Sequence, residues 1–215
     1  MDPTILTAIN EIGYLQAKPT QHTKQKCNQL LDYLYTHPNA TLRFHKSDMR
    51  LYLDSDAAYL VASKAKSRIA GYYYLGSNDI PTTTNTNSTT AVNAPVHIEC
   101  KTLKHVVSSA AEAETGALYS NCTFAISLCH MLTVLGHEQG PTPVKTDNQT
   151  ASAFVNNTLK AKRSKTWDMR YFWLNDRISQ AQFMFIGKKD PITMEITGLN
   201  IGHLLIINVS DQSIF

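Results

Sequence analysis

The sequence predicts an α/β fold: a mixed five-stranded sheet with flanking helices, preceded by an N-terminal helix. Three observations lead to this fold class. Three segments of strand character follow one another, a long helical run comes next, and two short strands then alternate with helical segments. The order β-β-β-α-β-α-α-β is typical of a mixed sheet with helices packed against it.

The first elements follow from the spacing of apolar residues. Residues 3–37 have a helical period that ends before Pro38 and Asn39. Strand character begins in "ATLRFHK". Three predicted strands follow, "MRLYLDSDAAYL", "IAGYYYLGS" and "PVHIECKTL". We expect these segments to form an antiparallel meander, with the Thr- and Asn-rich residues 78–93 as an exposed connection.

A long helix is predicted after the meander. Ser109 and Glu112 form the pattern S-x-x-E of a capping box, and Gly136 is placed to end the helix. The apolar residues between them can share one broad face, so the helix should cover residues 110–135. After it, "TPVKTDN" predicts a short strand, "QTASAFVNNTL" and "KTWDMRYFWLNDRISQ" predict two helices, and "AQFMFI" predicts the last strand.

Composition limits the classes of function. The chain has 215 residues, 43% hydrophobic and 17% charged, with a net charge of +3. A charge of this size permits nucleic-acid binding without arguing for it. Four cysteines without a C-x-x-C pair make a zinc site or a disulfide framework a poor explanation. No secretory signal is evident and no apolar run is expected to cross a membrane, so an intracellular protein with no membrane partner is predicted.

Three carboxylates lie where this fold can bring them together. Asp56 ends a strand, Glu114 lies in the first turns of the long helix, and Asp147 ends the next strand. Strand ends and adjacent helix faces are where the sites of α/β proteins gather. Three such groups would repel one another unless hard divalent cations lay between them. A pair of these ions can support phosphodiester cleavage.

The spacing leaves alternatives open. Asp54 is as acidic as Asp56 and points to the same side of an extended strand, and Glu112 competes with Glu114 in the same way. Taken alone, an aspartate at a strand end is more often a turn or cap residue, and a glutamate in a first helical turn often serves only the helix dipole. No partner at ligand spacing is found for His105, His130 or His137, so these are taken as ordinary surface or boundary residues.

Four segments carry a resemblance to a known family. "LDSDAAYLVASKAKSRIAGYYYLG", "KHVVSSAAEAETGALY", "PVKTDNQTA" and "AKRSKTWDMRYFWLNDRI" occur in this order between about Arg50 and Ile186. They resemble the ribonuclease H domain of copia-type retrotransposon polyproteins. The first forty-odd residues resemble the segment that joins the reverse transcriptase to that domain. Tyr59 and Phe172 depart from the usual Trp and His of the family pattern.

The resemblance selects among the open alternatives. It matches Asp56, Glu114 and Asp147 to the carboxylates that are both catalytic residues and metal ligands in the family. It matches Lys104, Ser109 and Gln149 to positions that contact the nucleic-acid backbone. Asp168 matches a family position with a structural role.

The resemblance also implies an activity. It implies hydrolysis of the RNA strand of RNA–DNA hybrids with two Mg²⁺ or Mn²⁺ ions as cofactors. It implies the hybrid as partner, together with the reverse transcriptase and integrase parts of the same polyprotein. The domains expected are residues 1–45 as the helical connection, 46–186 as the ribonuclease H-like domain and 187–215 as a separate tail.

The tail departs most from the family pattern. The family continues with a helix that carries a fourth aspartate, and "IGKKDPITMEITGLNIGHLLIINVSDQSIF" has no such pattern. Read in another frame with suitable codons, the same stretch gives W-K-K-G-S-H-N-Y-G-D-Y-W-T-K-H-W-A-P-S-H-H, which resembles the family ending. The hypothesis is an out-of-frame translation after a single-base deletion, which would impair activity. The alternatives are a selected divergent tail, a catalytically inactive nucleic-acid-binding module and a decayed retrotransposon fragment.

Overall fold

The computed structural model describes residues 5–39, 41–62, 64–78, 93–146 and 165–187, with side chains in the last segment from 169 to 186. The chain divides into two compact units, and Arg43–Asp190 is the one that contains the sheet. The predicted helix at residues 151–159 and the tail after residue 187 lie outside the described residues.

Two helices, rather than one, lie in the described residues 5–39. Helix α1 is Leu6–Tyr14 and α2 is Gln21–Thr36. The prediction of one continuous helical run over residues 3–37 was therefore wrong. Pro19 and the N-cap Thr20 explain the break, because Thr20 exchanges hydrogen bonds with Thr23 in a capping box that starts a new helix. A Lys26–Glu11 ion pair joins the two helices.

The sheet has five strands in the order β3-β2-β1-β4-β5. Their bounds are Arg50–Ala62 for β1, Lys66–Gly76 for β2, Pro95–Thr102 for β3, Thr142–Thr146 for β4 and Phe183–Gly187 for β5. The first three strands pair antiparallel, whereas β4 pairs parallel to both β1 and β5. The predicted α/β fold with a mixed five-stranded sheet and flanking helices is confirmed.

The segment before β1 is not a strand, although "ATLRFHK" alternates. The side chain of Asn93 takes the place of a neighbouring strand there, since its amide accepts from the backbone N–H of His45 and donates to its carbonyl. Asn93 also donates to the Leu75 carbonyl, at 2.6 Å. A single amide therefore satisfies backbone groups that a strand ladder would otherwise have to satisfy.

Helix α3 is Ala110–Val134 and begins as predicted. Ser109 Oγ accepts from the backbone N–H of Glu112 at 3.2 Å, although the Glu112 carboxylate accepts from Ser108 instead of closing the box on Ser109. Gly136 follows the helix with φ of +94°, a conformation in which glycine has no Cβ penalty. Helix α4, Lys165–Ser179, packs against α3.

The core lies between the sheet and these two helices. Its fully buried side chains come from β1, β2, β4, α3 and α4: Leu51, Leu53, Tyr73, Val144, Leu118, Cys122 and Leu174. Burial of each large side chain contributes about 1.5–3 kcal/mol. Among the described residues, α3 is the one helix that is long and apolar enough to cross a membrane. Helices in the core of a globular domain often have the same length and composition.

Asn121 fixes how α3 lies on the sheet. Its Nδ2 donates to Ser55 Oγ at 2.9 Å on β1 and to the Ala70 carbonyl at 2.7 Å on β2. A Cβ added to Gly71 would lie 2.9 Å from Asn121 Oδ1, so the helix approaches the sheet where β2 has no side chain. This contact anchors the middle of α3 on β1 and β2.

Candidate active site

The prediction that Asp56 ends its strand was wrong, because β1 continues to Ala62; Asp56 lies two residues before the regular β1–β2 pairing is interrupted. It is opposite Ala70 of β2, and the β1–β2 register shifts between Ala58 and Ala62. Asp56 is half-buried, and its Oδ1 accepts from the backbone N–H of Ala57 at 2.8 Å. Irregularities of this kind are common beside active sites, where they redirect the chain.

Asp54 shares the sheet face of Asp56 by strand alternation, but it belongs to a cluster of tyrosines. Burial, and then the nearby Asp54 charge, raise the pKa of Tyr72 from 10.0 to about 12. The same two causes raise the pKa of Tyr74, whose hydroxyl accepts from Lys145 Nζ at 3.0 Å. Lys145 is also the β4 partner of Asp54. Asp54 therefore acts electrostatically on aromatic side chains packed on this face.

Burial separates Glu114 from Glu112 on α3. The Glu112 carboxylate is half-buried and accepts 2.8 Å hydrogen bonds from the backbone N–H and the hydroxyl of Ser108 at the helix start. Glu114 is only 6% exposed and lies on the side of α3 that is buried against the sheet. A buried carboxylate is costly unless charges or hydrogen bonds compensate it. The Glu112 carboxylate is therefore engaged by Ser108 just before the helix, whereas Glu114 is buried and available for another role.

The third predicted carboxylate, Asp147, lies outside the described residues. Strand β4 is described up to Thr146, one residue beyond the Lys145–Asp54 pair with β1. Thr146 is buried, and its Oγ1 has no hydrogen-bond partner among the described residues. Within the same part of the chain, no three Asp, Glu, His or Cys side chains form a group that could hold a metal. The three-carboxylate site therefore stays a prediction.

The predicted nucleic-acid contacts lie at the start of α3, apart from Gln149, which is outside the described residues. Lys104 is exposed in the loop before the helix. Ser109 is exposed as well, and its hydroxyl is the N-cap of α3. Both described positions are accessible to a polyanion.

Sequence reasoning missed Arg170 and His105. Arg170 Nη1 lies 2.7 Å from His105 Nε2, although the two residues are 65 positions apart in the sequence. Only the fold brings the loop before α3 to α4, so spacing along the chain gave no signal of this contact.

The described donors fit a hard divalent cation by their chemistry. Asp56 and Glu114 offer carboxylate oxygens, the ligands that Mg²⁺ and Mn²⁺ prefer over nitrogen or sulfur. Glu114 offers them from a helix that packs against β1, the strand that carries Asp56. A rigid placement of ligands is what a metal site on a sheet and a helix needs.

Comparison with known proteins finds no matching family model and no matching curated protein. Among solved structures, the chain is similar to the N-terminal ribonuclease H domain of a Mycobacterium tuberculosis protein, with 9% identity and a TM-score of 0.43 over 65% of this chain and 84% of that one. A ribonuclease H1 isolated from compost, solved in complex with an RNA/DNA hybrid, matches with 11% identity and a TM-score of 0.42 over 64% of this chain and 84% of that one.

The ribonuclease H domain of prototype foamy virus is also similar, with 14% identity and a TM-score of 0.40 over 73% of this chain and 87% of that one. The fold class of the present chain rests on its own strand order and strand directions.

Proposed function

We propose that this chain is a ribonuclease H-like domain of a copia-type retroelement polyprotein that hydrolyses the RNA strand of RNA–DNA hybrids. The observation that carries the proposal is the buried Glu114 on the first turns of α3, on a helix that packs against the strand carrying Asp56. The ordered motif resemblance supports the substrate class and the retroelement origin. Reverse transcriptase and integrase parts of the same polyprotein are the proposed partners.

Asp56, Glu114 and Asp147 are the residues that would hold two Mg²⁺ or Mn²⁺ ions. Bound there, the ions would supply activation of a water molecule and stabilisation of the leaving oxygen. The protein contributes placement of its carboxylates, because β1 and α3 are both anchored in the core.

The chain's own residues bind and orient the substrate. Lys104 offers an exposed positive charge beside the start of α3, which favours the phosphate backbone and makes affinity fall with salt. Ser109 and Gln149 are proposed to contact the same backbone. Recognition should depend on the A-like shape of the hybrid and its 2′-hydroxyl groups rather than on base sequence.

The test is cleavage of a hybrid with end-labelled RNA by the purified chain, in Mg²⁺ and then in Mn²⁺. We expect products with a 3′-hydroxyl and a 5′-phosphate, and no cleavage of the matched DNA duplex. Salt-sensitive binding of the hybrid without cleavage, in both ions, would contradict the proposed activity and favour a binding module.

A variant of the ending addresses the tail hypothesis. In it, residues 186–215 are replaced by the alternate-frame sequence that resembles the family ending, which restores an aspartate. We expect faster metal-dependent cleavage by this variant than by the given chain, with a sharper thermal unfolding transition. Equal rates in the two chains would refute the idea that the tail impairs activity.

A further inference from the structure

Arg170 connects α4 with two parts of the chain around Glu114. Its Nη1 lies 2.7 Å from Nε2 of His105 in the loop before α3. Its guanidinium carbon lies 5.8 Å from the ring centroid of Tyr119 on α3, in a cation–π contact. A Cβ added to Gly116 would be 3.9 Å from Arg170 Nη1, so the side chain passes over the helix backbone.

The hydrogen bond from Arg170 determines the protonation state of His105. A guanidinium has donors only, so Nε2 of His105 must accept and the ring is neutral with its proton on Nδ1. Protonation would place a second N–H against the arginine and break the contact. His105 is therefore an acceptor that works only while it is uncharged.

Glu114 lies between the points that Arg170 contacts. His105 precedes the helix, while Gly116 and Tyr119 follow Glu114 within the next two turns. A carboxylate on a helix can move with the helix end when that end frays, since the first turn lacks internal hydrogen-bond partners. Holding the preceding loop and the second and third turns against α4 limits that motion.

We propose that Arg170 is a positioning residue which, through His105 and Tyr119, holds the first turns of α3 and so the Glu114 carboxylate in the orientation needed for hydrolysis. The proposal rests on the proposed function for its catalytic consequence. Its structural content, a clamp between α4 and the start of α3, does not depend on that function.

The clamp should respond to pH. Partial burial and the Arg170 charge on α4 lower the pKa of His105 from 6.5, and the Glu112 carboxylate on α3 acts in the opposite direction. Because the folded state favours neutral His105, the unfolded state binds more protons below pH 6.5. The contribution of the clamp to stability is thus full above about pH 6.5 and is lost as the pH falls below it.

The experiment compares four variants with the unaltered chain. Arg170→Gln and Arg170→Lys weaken the donor side of the clamp. His105→Gln keeps an acceptor that does not titrate, and His130→Gln is the matched control because His130 is exposed on α3. The measurements are denaturant unfolding at pH 8 and pH 5.5, amide hydrogen exchange along α3, and kcat and KM for hybrid cleavage.

We expect Arg170→Gln to lower kcat by about 10- to 100-fold, the range for residues that orient metal ligands, with little change in KM. It should also speed exchange in the first turns of α3. His105→Gln should keep activity at pH 8 and lose less stability than the unaltered chain between pH 8 and pH 5.5, while His130→Gln behaves as the unaltered chain does.

If amide hydrogen exchange at the start of α3 is unchanged in both Arg170 variants, Arg170 does not hold this part of the helix and the proposal is wrong. If exchange speeds up while kcat stays at its original value, the positioning role is wrong. If no chain cleaves the hybrid, the proposed function fails, and exchange together with the pH dependence of unfolding still decides whether the clamp exists.

Discussion

Glu114→Gln is expected to reduce hybrid cleavage by at least about 100-fold while the chain remains folded. The change keeps the shape of the side chain and removes the negative charge that would bind the cation. Loss of an outer partner of a metal ligand already costs about 10- to 100-fold, so loss of a ligand itself should cost more. Cleavage rates, with Mg²⁺ titration by calorimetry, measure the effect.

The free energy of unfolding of Glu114→Gln should rise or stay the same. Glu114 is 6% exposed, and a neutral amide is easier to bury than a carboxylate. Without added metal, the free energy of unfolding of Glu114→Gln should equal or exceed that of the original chain. Asp56→Asn should reproduce the loss of cleavage, because it removes charge from the same predicted site.

Glu112→Gln is the matched control, two residues away on the same helix. It weakens the hydrogen bonds from Ser108 at the helix start, each of which contributes about 0.5–1.5 kcal/mol. Cleavage should stay within a few-fold of the original rate. If Glu112→Gln abolished cleavage and Glu114→Gln did not, the choice between these two glutamates would be reversed.

The second large effect is expected for stability. Asn121→Ala should lower the free energy of unfolding by about 3 kcal/mol, because it removes the hydrogen bonds to Ser55 and to the Ala70 carbonyl and leaves the buried Ser55 hydroxyl without this donor, at ~1–3 kcal/mol. It also leaves a cavity where a fully buried amide lies. Denaturant unfolding measures the change.

Two further variants sharpen that test. Ser127→Ala, at an exposed position of the same helix, should change the free energy of unfolding by less than about 0.5 kcal/mol. Gly71→Ala should destabilise through a clash, since its Cβ would lie 2.9 Å from both Asn121 Oδ1 and Tyr73 Cε2. A loss in Asn121→Ala no larger than that in Ser127→Ala would mean that α3 is held on the sheet by its apolar contacts alone.

The sequence predicted the fold well where local chemistry determines an element. Helix α3 was placed to within one residue, because Ser109 and Gly136 act at its ends through short-range hydrogen bonds. The break between α1 and α2 was missed, although Pro19 and Thr20 are visible in the sequence, because apolar spacing continues across it. The segment around His45 alternates like a strand, yet Asn93, 48 positions away, satisfies its backbone.

The candidate site was harder to predict for a related reason. Spacing could not choose between Glu112 and Glu114, because both occur in the first turns of α3 and a pattern does not report burial. The resemblance made the choice, and the structure adds a physical difference: the Glu112 carboxylate accepts hydrogen bonds from Ser108 before the helix, and Glu114 is buried. The contact of Arg170 with His105 depends on how α4 lies against α3, which no local pattern encodes.

The packing of α4 on α3 also gives the molecule a built-in optical reporter. The chain has two tryptophans, Trp167 and Trp173. The indole of Trp173 lies edge-on to Tyr119 at 5.1 Å and beneath the Arg177 guanidinium at 5.4 Å. In a Trp167→Phe background, the emission of Trp173 would report the separation of the two helices in real time, without an added label.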